Sequence, residues 1–144
     1  MIRKFIKNDI DQVMSIWLQT NLKTHSYIEE KYWNQNYDIV KKLIPKAKVF
    51  VFIDKSEIVG FIGVAKNYVA GIFVKKQFQS IGVGSQLLDY VFKKYNNLKL
   101  KVYNKNQKAI NFYLRHGFEI IEEYVDEETL EKEIEMQWKK KKSK

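Results

Sequence analysis

The stretch that most constrains this chain runs from an apolar segment of strand character, residues 69–74, into an amphipathic helix. The connection is Lys75-Lys76-Gln77-Phe78-Gln79-Ser80-Ile81-Gly82-Val83-Gly84, and the helix carries Val83, Leu87, Leu88, Val91 and Phe92 on one face. A helix start leaves its first amides without internal partners and puts the positive end of the dipole there. Glycine removes the obstructing side chain and permits left-handed backbone angles, so Gly82 and Gly84 suit a turn that holds a phosphate. The turn is not a P-loop, because no Lys-Ser/Thr follows, and its spacing is not that of a G-x-G-x-x-G dinucleotide turn. Taken alone, two glycines more often mark an ordinary strand-to-helix connection, so the surrounding chain decides.

Apolar spacing orders that surrounding chain. Residues 2–6 read as a short opening strand. Asn8 offers an N-cap for a helix with Asp9 and Asp11 in its first turn and Ile10, Val13, Met14 and Trp17 on one face. Ser26-Tyr27-Ile28-Glu29 matches a capping box and opens a second helix, which Pro45, the only proline, ends. Residues 49–53 and 57–64 form a hairpin around Asp54-Lys55-Ser56. Beyond the glycine turn and its helix, residues 98–103 are a strand. Asn106 caps a helix carrying Ala109, Ile110, Phe112, Tyr113 and Leu114, and Gly117 closes it. Residues 118–125 and 133–138 make a last hairpin with Ile134, Met136 and Trp138 pointing inward. The order is β-α-α-β-β-β-α-β-α-β-β, an α/β chain with a mixed sheet flanked by helices. It reads as one domain over residues 1–138 with a lysine-rich, solvated tail at 139–144.

Composition removes several classes of function. Without cysteine there are no disulfides, thiolate metal sites or thiol nucleophile. The longest apolar run, residues 49–53, falls far short of a bilayer span, and the first residues lack a signal-peptide core, so a cytoplasmic protein without membrane attachment is expected. The net charge of +9 is uneven: residues 1–118 carry +12, residues 119–138 carry −8 and the last six carry +5. A basic body suits a polyanion, either nucleic acid or a phosphorylated cofactor. Lysine far outnumbers arginine, with only Arg3 and Arg115 present, and no helix-turn-helix, zinc-finger or RRM-type pattern occurs, which argues against nucleic acid.

Two spaced motifs then give the chain a family resemblance. Gln79 to Gly84 fits the Q/R-x-x-G-x-G/A signature of the GNAT superfamily of acetyl-CoA-dependent N-acetyltransferases at every specified position. After one helix and one strand, Asn106-Gln107-Lys108-Ala109-Ile110-Asn111-Phe112-Tyr113-Leu114-Arg115-His116-Gly117-Phe118 resembles that family's N-x-x-A-x-x-F-Y-x-x-x-G-F. The element order matches over essentially the whole chain, and Thr24-His25-Ser26-Tyr27-Ile28 is similar to a small bacterial branch. The resemblance implies a mostly antiparallel sheet with a splayed central strand pair and about four helices. It also implies acetyl-CoA as co-substrate, no metal, and a small-molecule or peptide amine as acceptor. Family habit allows a homodimer through the sheet edge or the C-terminal hairpin.

The same resemblance implies residue roles. Ile72, Phe73 and Val74 would offer backbone groups to the pantetheine arm, lying like an added strand. Amides of Gln79, Ser80, Ile81, Gly82, Val83 and Gly84, with Ser85 beyond, would hold the pyrophosphate. Asn106 would touch the cofactor as well as cap its helix, and Lys75 and Lys76 are candidates to neutralise phosphate. Transfer needs a neutral amine, a donor for the oxyanion and a proton for the leaving thiolate. Tyr113 matches the tyrosine that supplies that proton, and an amide of Ile72 or Phe73 the oxyanion donor. Many relatives place a glutamate on the strand before the glycine turn, but Asn67-Tyr68-Val69-Ala70-Gly71 has no carboxylate. His25, which titrates near neutrality, is the candidate base or acceptor-binding residue, with Tyr27, Glu29, Tyr103 or a water as alternatives. A missing base also motivates a second class, an acetyl-CoA-binding sensor or interaction module without turnover. A nucleic-acid binder rests on charge alone.

Overall fold

The computed structural model describes residues 1–141. Eleven main elements follow the expected order: β1 (Ile2–Lys4), α1 (Ile10–Thr24), α2 (Glu30–Leu43), β2 (Lys48–Asp54), β3 (Glu57–Ala65), β4 (Tyr68–Val74), α3 (Val83–Phe92), β5 (Asn97–Tyr103), α4 (Gln107–Arg115), β6 (Glu119–Val125) and β7 (Lys132–Lys139). The strands form one seven-stranded sheet in the order β1-β2-β3-β4-β5-β7-β6. Every neighbouring pair is antiparallel except β4 and β5. No helix is long and apolar enough to cross a membrane.

Alternation along the strands divides the apolar residues between two faces. Leu98, Leu100 and Val102 of β5 and Ile134 and Met136 of β7 join Val83, Leu87, Leu88 and Val91 of α3 and Ile110 and Tyr113 of α4 in one core. Val49, Val51, Ile58 and Phe61 meet Val13, Met14, Ile16 and Trp17 of α1 and Trp33 of α2 on the other face. Each fully buried aliphatic chain contributes roughly 1.5–3 kcal/mol, so both faces hold the sheet. Side chains that alternate with the first core on β5 and β7, namely Lys101, Tyr103, Glu133 and Glu135, therefore project to the side of α1 and α2.

The centre of the sheet comes apart. Parallel pairing of β4 with β5 is confined to Tyr68 with Lys99 and Val69 with Leu100. Just past that contact, β4 carries one extra residue: Val69 and Gly71 pair with the adjacent Val64 and Gly63 of β3, leaving Ala70 as a bulge. A bulge bends its strand and sharpens the local twist. Residues 71–74 consequently leave β5, and a wedge-shaped opening separates the two strands.

Three local expectations are revised. Asn8 does not cap α1. A 3-10 turn, Lys7–Asp9, precedes the helix, and buried Asp9 accepts the Ile6 amide at 2.8 Å and the Arg3 guanidinium at 2.7 and 3.0 Å. The hydrogen-bonded Arg3 holds the Asp9 carboxyl below its usual range. No capping box forms at Ser26, because the amide of buried Ile28 bonds the His25 carbonyl at 2.9 Å in a turn, and α2 begins at Glu30. The start of the lysine-rich segment is ordered structure, since Lys139 ends β7 opposite Asn97 and the Lys140 amide bonds the Asn96 carbonyl at 2.8 Å. Residues 142–144 of that segment lie outside the described residues.

Candidate functional site

The glycine turn leaves β4 through a 3-10 turn, Lys76–Phe78, that strand and helix spacing did not foretell. The Gln79 side chain reaches back and donates to the Val74 carbonyl at 2.9 Å, tying the loop to the strand end. Ser80 and Gly82 then take left-handed angles, φ +66° and +94°. Left-handed residues alternating with ordinary ones turn successive amides toward one concavity. Glycine at 82 is required by this angle rather than by crowding, because a side chain there would meet only the end of Gln86, at 3.8 Å. Among the described residues none of the six amides from 80 to 85 makes a protein hydrogen bond, and the first helical bond is Gln86 N–H to the Gly82 carbonyl at 3.0 Å.

Of these residues Ser80, Gly82, Gly84 and Ser85 border a cavity of about 360 Å³. Of the sequence-predicted residues, Ile72, Val74, Gln79, Ser80, Gly82, Gly84, Ser85, Asn106 and Tyr113 line it together. Three others point elsewhere. The Ile81 side chain is exposed, Val83 is buried in the core, and the Phe73 ring stacks on Phe61 at 5.0 Å on the opposite face. Gly71 must lack a side chain because the Phe73 ring folds across it.

Helix α4 closes the cavity from the other side. The Asn106 side chain accepts the Ala109 amide at 3.2 Å, which caps the helix as expected. The Tyr113 ring, 8% exposed, packs edge-to-face with Phe112 and Phe118. Among the described residues its hydroxyl has no hydrogen-bond partner, and burial pushes its phenol above the ordinary range, which keeps the proton on. Thr20 and Thr24 of α1 and Lys108, Phe112 and Arg115 of α4 also line the cavity without having been singled out. Their signals were present: Thr20 and Thr24 are four apart on α1, and Phe112 and Arg115 sit at helical spacing from Lys108. Lys75 bonds Glu57 at 2.8 Å, and with Lys76 and Lys23 it borders a depression along α1 that adjoins the cavity at Thr20, Thr24 and Gln79.

His25 is not among the cavity-lining residues. Its ring stacks on Trp33 at 5.6 Å, meets Tyr103 edge-on at 5.1 Å, and its Nδ1 lies 2.9 Å from the Tyr27 hydroxyl. Burial lowers its pKa to about 4, so the imidazole is neutral at pH 7. Glu133, unnoticed in the sequence, shares this aromatic face. Burial and the adjacent Asp126 carboxyl push it up to about 7, against the opposing pull of Lys101. The same carboxylate, with Glu131, adds to burial in raising Tyr27 to about 12.

Comparison with known proteins agrees with this geometry. Residues 45–120 match the model of the acetyltransferase (GNAT) domain. Over 124 residues the chain is 30% identical to the peptidyl-lysine N-acetyltransferase YiaC of Escherichia coli strain K12, covering 85% of each chain. The solution structure of apo YjaB from Escherichia coli superposes with a TM-score of 0.84 at 21% identity, over 96% of each chain. A crystal structure of an aminoglycoside 6'-N-acetyltransferase complexed with coenzyme A gives 0.74 at 14% identity, again over 96% of each. With the family model spanning more than half of its length and the splayed sheet in place, the chain belongs to the GNAT family and is an acetyltransferase.

Proposed function

We propose that residues 1–138 work as one catalytic unit that takes the acetyl group from acetyl-CoA and passes it directly to a primary amine. The observation that carries this reading is the run of unengaged amides at residues 80–85, in which Ser80, Gly82, Gly84 and Ser85 line a cavity that continues to Tyr113. A diphosphate matches such a run in charge and geometry. Lys108 and Arg115 add positive charge at the rim. The pantetheine arm would follow the free edge of β4 at Ile72, Phe73 and Val74, in the wedge where β5 withdraws. A fold neighbour complexed with coenzyme A supports the choice of donor.

At the thioester, an amide of Ile72 or Phe73 stabilises the oxyanion and Tyr113 hands its proton to the departing sulfur. The acceptor enters from the face bearing His25, Tyr27 and Tyr103. There His25, being uncharged, serves as a hydrogen-bonding wall for the amine rather than as a strong base. A relative named for peptidyl lysine supports a peptide amine as acceptor. Calorimetry with acetyl-CoA and thiol release with a lysine-containing peptide test the reading together. Micromolar binding and stoichiometric thiol release are expected. No binding at high micromolar donor overturns the reading, and binding without release from a panel of amines replaces it with the sensor class.

A further inference from the structure

We infer that Glu133 is the group that takes the proton from the attacking amine, directly or through one water, on the acceptor side of the opening between β4 and β5. The inference rests on the acetyltransferase reading above and fills the position left by the missing carboxylate on β4.

Placement comes first. Glu133 pairs in register with Tyr103, the last residue of β5, and with Tyr124 of β6. It therefore lies at the wide end of the opening, beyond the single β4–β5 contact at Tyr68 and Val69. Its side chain projects to the face that holds His25, Tyr27 and Tyr103. Tyr68, where β4 leaves β5, is near enough to both Tyr113 and Glu133 for the charge of each to disfavour its ionisation. Tyr113 in the core of one sheet face and Glu133 on the other thus stand on opposite faces of one gap, and Tyr68 feels the charge of both.

Elimination comes second. Glu131 is bound by Lys105 at 3.2 Å, and Glu123 by Lys132 at 3.5 Å. The Asp126 carboxylate accepts the Glu128 and Thr129 amides at 2.8 and 3.4 Å. Among the described residues neither Glu133 nor Glu135 of this face has an ion-pair partner, and of the two it is Glu133 that stands opposite Tyr103 at the end of β5, while Glu135 stands opposite Lys101, two residues nearer the β4–β5 contact. Asp126 on the hairpin and Lys101 on β5 act on Glu133 directly; the same face carries Glu135, Glu131 with its partner Lys105, whose Nζ lies 4.9 Å from the centre of the Tyr27 ring, Tyr103 on β5, Tyr124 on β6, Tyr68 on β4, and Tyr27 and Tyr32 from the α1–α2 region. Burial and the Asp126 carboxyl outweigh the Lys101 ammonium, which favours the protonated acid until near neutrality and makes the ionised form a competent base there.

The protons balance. The acceptor arrives as R–NH3⁺, and Glu133 removes one proton to leave R–NH2. Nitrogen attacks the thioester carbonyl, forming the C–N bond, and collapse of the oxyanion breaks the C–S bond. The thiolate takes the Tyr113 proton, the amide nitrogen gives its second proton back to the phenolate, and Glu133 releases its own to solvent. The sum is amide, free thiol and one proton.

The test compares kcat/KM from pH 6 to 10 for the wild type, Glu133→Gln and Glu135→Gln, with acetyl-CoA and a lysine-containing peptide. The wild-type rate should rise through pH about 7 and level off. In Glu133→Gln that limb should vanish, with roughly a 100-fold loss at pH 8 that narrows toward pH 10 as free amine accumulates. Acetyl-CoA affinity should stay within twofold, and Glu135→Gln should stay within threefold of wild type throughout. Carbon-13 carboxyl NMR should show Glu133 titrating near 7 and moving lower in Asp126→Asn. A Glu133→Gln profile that keeps the limb, a loss that does not depend on pH, or an equal loss in Glu135→Gln overturns the inference while the acetyltransferase reading stands. A wild type that binds no acetyl-CoA removes both.

Discussion

Helices α3 and α4 both present their N-termini to the cavity, and they do so in opposite ways. At α4 the local sequence satisfies the backbone: Asn106 accepts the Ala109 amide through its side chain and the Ile110 amide through its carbonyl, at 3.2 and 3.1 Å. At α3 the Gly82 carbonyl likewise accepts the Gln86 amide at 3.0 Å, but no side chain caps the start, and left-handed Ser80 and Gly82 leave the six amides of residues 80–85 without protein partners among the described residues. An unsatisfied buried amide costs about 1–3 kcal/mol, so such a run persists only where solvent or a ligand reaches it. A helix start finished by its own sequence offers side chains to a ligand, and one left unfinished offers its main chain.

The largest expected effect is on the side-chain helix. Tyr113→Phe should lower kcat by roughly 100-fold while acetyl-CoA affinity stays within twofold, read by thiol release and calorimetry. An unchanged rate would take Tyr113 out of the reaction. Next comes Gly82→Val. A branched residue at φ +94° costs about 1–3 kcal/mol, and relieving it turns the amides away, so affinity should fall roughly tenfold or more. If affinity holds, the main chain at α3 is not what binds. Asn106→Ala should remove a cap worth about 1 kcal/mol, lowering Tm by about 3 °C in a thermal scan. A loss of donor affinity larger than that of stability would show that Asn106 also touches the ligand. Smallest of all, Ile81→Ala should change affinity less than twofold, because its exposed side chain faces away from the cavity.

Features that depend on a few adjacent residues were readable in the sequence. The Asn106 cap, the helix end at Gly117 and the glycine turn are of this kind. Apolar spacing likewise gave every strand and helix its place. Readings that ignored what the neighbouring chain buries went astray. The Ser26–Glu29 pattern has the letters of a capping box, but burial of Ile28 bends the segment into a turn first. Asp9 looked like a first-turn acid until Arg3, from another element, claimed it. Glu133 was invisible for a stronger reason. In sequence it is one of nine acids among residues 119–138, and only registration against Tyr103, thirty positions away, sets it apart.

The pairing of β4 with β5 through just two residues has a mechanical consequence. Strands β1 to β4 form one continuously paired plate and β5 to β7 another, and across the seam the two are joined by those two residue pairs and by the apolar core beneath one face. A molecule laid along that seam with bonds to both sides would act as a splint. Amides flanking the joint should then exchange with solvent more slowly in the loaded protein than in the free one, on both plates at once.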